Sequence, residues 1–389
     1  MYVIQTLLVA FVLTVMCWRT HLLHRFQIVG WTSATLFLAS RFGDTGQLVV
    51  YSSDQSIYFN SVMRIMADGP PLAFPSSLSW WLLEAQTPYV MPGVLLSMAG
   101  LHPAVALKTV SLLSILGLTS LVGREIAGSS FRQSAIVGTM TATGVIGIFF
   151  SVWALRDATL MLTTTTVFVG RGRVRLVALF VTAMMRPHLA AALAAGLIVA
   201  VLWNKFRSRG SWSIPDTIAT ITVGAVLGPL MLSFGENMRR LVEYSLESGS
   251  LNTVGLLDAS PESIASLGEL TRYVSTLVGL QFLTASDNTV TLSIQSLLLA
   301  RIGLAELWLI PTLFFLCLIL KRTGLAVNER WLLVSFATYT ALGSTTDFSS
   351  ARQNLPFLPY MGVLLFRLWR GRNATVVAAS PSRSLGTSN

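Results

Sequence analysis

One carboxylate stands where it could act as a base. Asp54 falls in the first turn of a short helix predicted between Ser52 and Gly69. Tyr58, one turn further on, and Arg64 beyond it are candidate substrate-binding residues. The helix dipole favours an ionised carboxylate at the helix start, which is the state a general base requires. The simpler interpretation is a helix-start acid with no further task.

Two further groups of polar residues interrupt apolar sequence. Arg156 and Asp157 stand in WALRDATLML, and Arg186 and His188 flank Pro187 in AMMRPHLAAAL. Charged groups at membrane depth are costly and often mark function, and a guanidinium can hold a phosphate through two parallel hydrogen bonds. These residues are therefore candidates for a second acid and for contacts with an anionic substrate. The plainer alternatives are a boundary ion pair, a snorkelling arginine and a hydrogen-bonded structural histidine.

Arg352 precedes the last apolar run, in SSARQNLPFLPYMG. It is either an anchor at the end of a span or a second clamp on an anionic head group. The chain has four His and two Cys, so we expect neither a His cluster nor a Cys-based metal site.

Composition limits the class of protein. Hydrophobic residues make up 53% of the chain and charged residues 11%. Soluble domains carry about 25% charged residues, so the composition predicts an integral membrane protein. The first apolar run, 2–17, has no basic stretch before it and no small-residue cleavage site. We therefore expect a retained span and not a cleaved signal peptide.

Apolar runs divide the chain into about eleven predicted spans. They cover residues 2–17, 27–41, 103–123, 133–154, 157–170, 174–185, 188–204, 214–233, 300–320, 329–345 and 354–369. With a cytoplasmic C-terminus, the inner segments are 18–26, 124–132, 171–175, 205–216, 321–330 and 367–389. These inner segments hold 17 of the 27 Lys and Arg but only three of the 17 acids, Glu125, Asp216 and Glu329. The positive-inside rule explains this asymmetry and the net charge of +10, so no nucleic-acid partner is needed.

The predicted fold is an all-α bundle of transmembrane helices. Two N-terminal spans (1–41) precede an outer loop (42–102) whose helices lie in the membrane interface, and a central bundle (103–233) follows. A second outer loop or lid (234–299), C-terminal spans (300–370) and a disordered cytoplasmic tail (371–389) complete the chain.

Taken in order, these segments resemble the GT-C glycosyltransferases related to protein O-mannosyltransferases and aminoarabinose transferases. Asp54, Tyr58 and Asp68-Gly69 look like the first outer loop of that family. PYVMPGVLLSMAGLHPAVALKTVSLL is similar to its interfacial helix and following span, and LRDATLML to its second acidic site. MRPHLAAALAAGL resembles its basic-Pro motif, and ARQNLPFLPYMGVLL its closing span.

The resemblance implies a GT-C fold, and transfer of a sugar from a polyprenyl-phosphate donor on the extracytoplasmic side of the cell membrane. It implies that Asp54 is the general base acting on the acceptor hydroxyl and that Asp157 is a second acid. By the same likeness, Arg186 and Arg352 would contact the lipid-linked phosphate. Gln55 stands where many relatives have another acid, which argues against a tightly bound divalent metal.

An outward-facing site suits a lipid-linked donor, because nucleotide sugars are made in the cytoplasm while a prenyl tail holds a sugar phosphate at the bilayer. The acceptor would be a glycan, a lipid or a protein. One rival is a polysaccharide polymerase or ligase that uses an oligosaccharide on a polyprenyl diphosphate and depends chiefly on Arg186 and Arg352. A second rival is a lipid or solute transporter in which Arg186 and Asp157 line a path. A third is a structural membrane subunit.

Overall fold

A computed structural model describes residues 2–19, 53–68, 87–127, 156–206, 213–245, 309–321, 324–345 and 351–379. Within these ranges the secondary structure is helical, without a strand. The α-helices are α1 (Tyr2–Arg19), α2 (Ser53–Asp68), α3 (Thr87–Met98), α4 (Pro103–Ala127), α5 (Asp157–Val169), α6 (Arg173–Met185), α7 (Pro187–Phe206), α8 (Ser213–Ser245), α9 (Leu309–Ile319), α10 (Val327–Thr345) and α11 (Leu358–Ala379). A 3-10 helix, Ala351–Phe357, precedes α11.

Three of these helices are long and apolar enough to cross a membrane. The candidate spans are Pro103–Ile126, Pro187–Lys205 and Ile214–Met231. The described chain therefore has the all-α character that the sequence predicts, and it is compatible with insertion in a membrane. The predicted spans at 27–41 and 133–154 lie outside the described residues.

The short helix predicted between Ser52 and Gly69 is confirmed as α2. Tyr58, Val62 and Ile65 recur at helical spacing and are buried. The exposed face still carries large apolar side chains, namely Ile57, Met63 and Met66. A helix that is apolar on its solvent-facing side as well as its packed side fits the predicted position in the membrane interface.

α5 and α6 form a short hairpin against α4. The Ser114 and Thr159 hydroxyls lie 2.9 Å apart and join α4 to the first turn of α5. Gly170 ends α5, and a Cβ atom there would lie 2.5 Å from the carbonyl oxygen of Thr166. Only glycine fits this close backbone approach, so the residue fixes where α5 stops and the chain turns back into α6.

α10 is buried over most of its length because small residues let its neighbours approach closely. A Cβ atom on Gly224 of α8 would lie 2.5 Å from Cβ of Ala337, and one on Gly228 would lie 2.6 Å from Cβ of Ala341. Small residues four apart on both helices allow this contact, as in many membrane bundles. The packing fixes the rotation of α10 and hence the position of Tyr339, which stands between the two alanines in sequence.

Acids and bases pair at one end of the bundle. The ion pairs are Asp216–Arg330 (2.8 Å between Oδ2 and Nη2), Lys321–Glu329 (2.6 Å between Nζ and Oε2) and Glu125–Arg367. We call these six residues the basic end. All three acids that the sequence assigns to the inner side are thus paired here, each with a base from the same set of segments.

Some helix ends differ from the predicted ones. α8 runs to Ser245, beyond the apolar run that ends at 233, and α11 runs to Ala379, into the segment predicted to be disordered. Hydropathy shows where a helix is apolar and not where its backbone hydrogen bonds stop. A prediction from hydropathy therefore ends a helix too early when the last turns are polar. Most of the predicted lid lies outside the described residues.

Candidate functional site

A pair of buried tyrosines holds α2 against the rest of the bundle. The rings of Tyr58 and Tyr89 meet edge to face, with centroids 5.2 Å apart. The Tyr89 hydroxyl donates to the carbonyl oxygen of Leu107 at 3.3 Å and lies 3.1 Å from the Ser111 hydroxyl. α2 is therefore fixed, through α3, over the beginning of α4. Asp54 lies one turn before Tyr58 in this helix, and its side chain is outside the described part of the structure.

Asp157 lies beside this tyrosine pair. It begins α5, is fully buried, and its negative charge acts on Tyr89. Burial raises the pKa of Tyr89 well above its usual range; the hydrogen bond with Ser111 opposes this, while the nearby Tyr58 and Asp157 add to it. Two segments about a hundred positions apart in sequence, each predicted to carry a site acid, thus meet at one place.

Arg156 precedes Asp157 and reaches across to the next helix. Its Nη1 donates to the carbonyl oxygen of Met185 at 2.9 Å, at the end of α6. Its Nε is buried and has no hydrogen-bond partner among the described residues. The guanidinium is therefore fixed in place by one neutral acceptor.

Arg186 lies at the same turn. It is the single residue between α6 and α7, and its Nη1 donates to the phenolic oxygen of Tyr339 at 2.8 Å. We call Arg156, Met185, Arg186 and Tyr339 the arginine corner. Two guanidiniums and the N-termini of α5 and α7 come together there, and both kinds of group attract anions. The arrangement can bind a phosphate or a carboxylate.

The 3-10 helix that contains Arg352 packs beside α10. Later residues of that helix flank Tyr339: the rings of Phe357 and Tyr339 are 5.7 Å apart, and Thr340 donates to Oδ1 of Asn354 at 3.5 Å. The backbone of Arg352 therefore belongs to a segment packed beside α10, and its side chain lies outside the described residues.

Two predicted contact residues stand apart from these groups. Arg64 is exposed on α2, away from its buried face, and His188 is exposed in the first turn of α7. His188 is close in sequence to Arg186 and extends the same turn. Neither side chain makes a hydrogen bond or an ion pair with another described residue, so both substrate contacts stay predictions.

Sequence reasoning missed Tyr89 and Tyr339. Tyr89 stands two residues into an apolar helix, and Tyr339 is a polar residue inside a predicted span, which is the available signal for both. Their partners lie 18 and 153 positions away, so only packing reveals the contacts. Among the described residues, no group of three His, Cys, Asp or Glu side chains could hold a metal ion.

No family model, curated protein or solved structure matches this chain.

Proposed function

We propose that the protein is a membrane glycosyltransferase that moves a sugar from a polyprenyl-phosphate donor to an acceptor hydroxyl. In this proposal the reaction takes place on the extracytoplasmic side, in a GT-C fold. The observation that carries the proposal is the position of the arginine corner, at the start of α5, whose first residue, Asp157, is close enough for its charge to act on Tyr89, the ring that packs against Tyr58 of α2. An anion-binding group and the helix of the proposed base are therefore attached to one short stretch of chain.

The proposed reaction needs a base and stabilisation of a leaving group. Asp54 accepts the proton of the acceptor hydroxyl as its oxygen attacks the anomeric carbon of the sugar. The bond from that carbon to the phosphate oxygen breaks, and its electron pair leaves with the polyprenyl phosphate. Arg156 and Arg186 stabilise the charge that develops on that phosphate, with Arg352 as a further donor. One direct displacement inverts the configuration at the anomeric carbon.

Asp157 takes an indirect part in this proposal. Because the residue has 0% exposure, it supports the site through the tyrosines and not by touching a substrate. A buried carboxylate beside Tyr58 and Tyr89 fixes the position of α2, and with it the position of Asp54. The second acid suggested by the family resemblance is thus proposed as a positioning residue.

The proposed base is tested by transfer from a radiolabelled polyprenyl-phosphate sugar in reconstituted membranes. Asp54→Asn is expected to lower the rate by a factor of about 10²–10⁴, the usual contribution of a general base. Glu125→Gln at the basic end is the matched control, since it also neutralises a carboxylate, and it should transfer at the wild-type rate. A rate near wild type for Asp54→Asn would remove this residue as the base.

The donor class is tested by native mass spectrometry of the purified protein. A retained polyprenyl monophosphate that is lost in Arg186→Ala supports the proposal. A retained diphosphate carrying an oligosaccharide would favour a polymerase or ligase instead. Movement of a lipid across the membrane without sugar transfer would favour a transporter.

A further inference from the structure

The two helices of the α5–α6 hairpin are shorter than the next helix, α7. α6 has 13 residues and α7 has 20, and the two run antiparallel from the turn at Arg186. At about 1.5 Å per residue, α7 extends about 10 Å beyond the start of α6. α6 itself is about 20 Å long, and the hydrocarbon core of a bilayer is about 30 Å thick. α6 therefore spans only about two thirds of that core. The hairpin turn therefore stops short of the level that α7 reaches.

Contacts of Arg175 place the start of α6 beside the basic end. The Arg175 guanidinium lies 4.9 Å from the ring of Trp331, whose Nε1 donates to the carbonyl oxygen of Leu193. The residue before Trp331, Arg330, lies 5.7 Å from the ring of Trp203, near the end of α7. The end of α7 thus extends past the hairpin turn at the basic end, and we call this difference in level the step.

Two exposed arginines occupy the turn at this step. Arg171 and Arg173 flank Gly172, whose φ of +53° is a left-handed conformation that glycine adopts without strain. Both side chains are exposed, and neither makes a hydrogen bond or ion pair with another described residue. Arg175, two positions later, is held by Trp331 and by the carbonyl oxygen of Val167. The two charges at the turn have no such structural task.

An apolar stripe continues from these arginines along α6. Val174, Val177 and Phe180 are spaced about one turn apart and are 57%, 61% and 60% exposed. The stripe begins beside the charged groups and runs away from the step. A polar anionic group followed by a long hydrocarbon chain fits this order of chemistry.

We propose that the step binds one anionic phospholipid. Its phosphate lies between Arg171 and Arg173, and an acyl chain follows Val174, Val177 and Phe180. The recessed turn draws the head group below the level of its neighbours, which accommodates a hairpin shorter than the bilayer. A second copy of the chain fits less well, because a two-fold contact through this stripe would bring like charges together. The site is independent of the proposed sugar transfer.

Native mass spectrometry tests the site with defined lipids. The wild-type protein, exchanged into mixed micelles of dioleoylphosphatidylglycerol, is expected to retain one lipid molecule that Arg171→Gln/Arg173→Gln binds about 30-fold more weakly. This factor assumes about fivefold for each basic residue near a membrane surface. The matched control is Arg19→Gln/Arg124→Gln, which removes two exposed arginines from the last turns of α1 and α4 and should bind as the wild type does.

Measurements with other ligands distinguish which molecule the step binds. Dioleoylphosphatidylcholine, which has no net charge, should be retained about as weakly as phosphatidylglycerol in the turn variant. Inorganic phosphate and a short-chain dihexanoylphosphatidylglycerol should not displace the bound lipid, since neither can fill the apolar stripe. Equal loss of lipid in both double variants, or equal retention of the neutral lipid, would overturn the proposal. A dimer that dissociates in the turn variant would assign the surface to a second copy instead.

Discussion

Charged side chains have different partners at the basic end and at the arginine corner. At the basic end, Asp216 and Arg330 pair at 2.8 Å, and a backbone N–H of Leu325 also donates to the same carboxylate oxygen at 3.1 Å. At the arginine corner, Arg156 donates to a backbone carbonyl and Arg186 to a phenol. A carboxylate cancels the charge of its partner, whereas the two neutral oxygens at the arginine corner orient a guanidinium and add no negative charge of their own.

This difference teaches how one bundle can combine stability with a binding site. Buried ion pairs couple helices, since removal of one partner leaves a charge in an apolar medium. A hydrogen bond to a neutral oxygen fixes the orientation of a guanidinium, and orientation governs how well it can bind an anion through two parallel hydrogen bonds. We therefore expect substitutions at the basic end to change stability, and those at the arginine corner to change ligand binding.

The buried pair provides the largest expected effect on stability. Asp216→Ala should lower the free energy of unfolding by about 3–5 kcal/mol, because Arg330 is 2% exposed and would lose its counter-charge. Unfolding in mixed micelles by a denaturing detergent, followed by tryptophan fluorescence, measures the change.

The control is the double variant Asp216→Ala/Arg330→Met, in which both charges are absent. It should regain much of the lost stability, since no unpaired charge remains. A loss below about 1 kcal/mol in Asp216→Ala would mean that water or another group reaches Arg330, and the contrast between the two ends would fail.

A substitution of Tyr339 tests the arginine corner. Tyr339→Phe keeps the ring against Phe357 and removes the oxygen that accepts from Arg186. A hydrogen bond to a charged group contributes about 1.5–3 kcal/mol, so a partial loss of orientation should weaken donor binding about tenfold. Under the proposed function, KM for the lipid donor rises and kcat falls, because Arg186 also stabilises the charge that develops on the departing phosphate, and the unfolding midpoint moves little.

Tyr360→Phe is the matched control for this prediction. Tyr360 is also buried, with its ring stacked on Phe168 at 4.5 Å, and it lies in α11 away from the arginine corner. Tyr360→Phe also removes one phenolic hydroxyl, yet donor binding should not change. Equal effects of the two substitutions would show that Tyr339 acts through packing and not through Arg186.

Local patterns predicted the elements of this molecule well. The helix predicted between Ser52 and Gly69 is found as α2, and the apolar runs predicted helices where α4 to α8 stand. Charge counting assigned Glu125, Asp216 and Glu329 to inner segments, and each is found paired with a base from the segments given the same assignment. These properties depend on short-range periodicity and on the cost of charge in lipid.

Contacts between distant helices could not be predicted in the same way. The bond from Arg186 to Tyr339 joins residues 153 positions apart, and it depends on the rotation of α10. That rotation is set by Gly224 and Gly228 against two alanines, and no single-sequence pattern says which small residues meet. The roles of Asp54 and Arg352 stay predictions from the motif order.

The smallest expected effect lies in the exposed pair of the basic end. Glu125→Gln should lower the free energy of unfolding by less than about 1 kcal/mol, because the side chains of Glu125 and Arg367 are 28% and 43% exposed and water screens the pair. The effect should shrink further as salt is raised from low to high concentration, whereas that of Asp216→Ala should not, since the buried pair is shielded from ions. Equal salt dependence for both variants would show that ions screen the two pairs alike, and the different burial of the two pairs would then not explain their different contributions to stability.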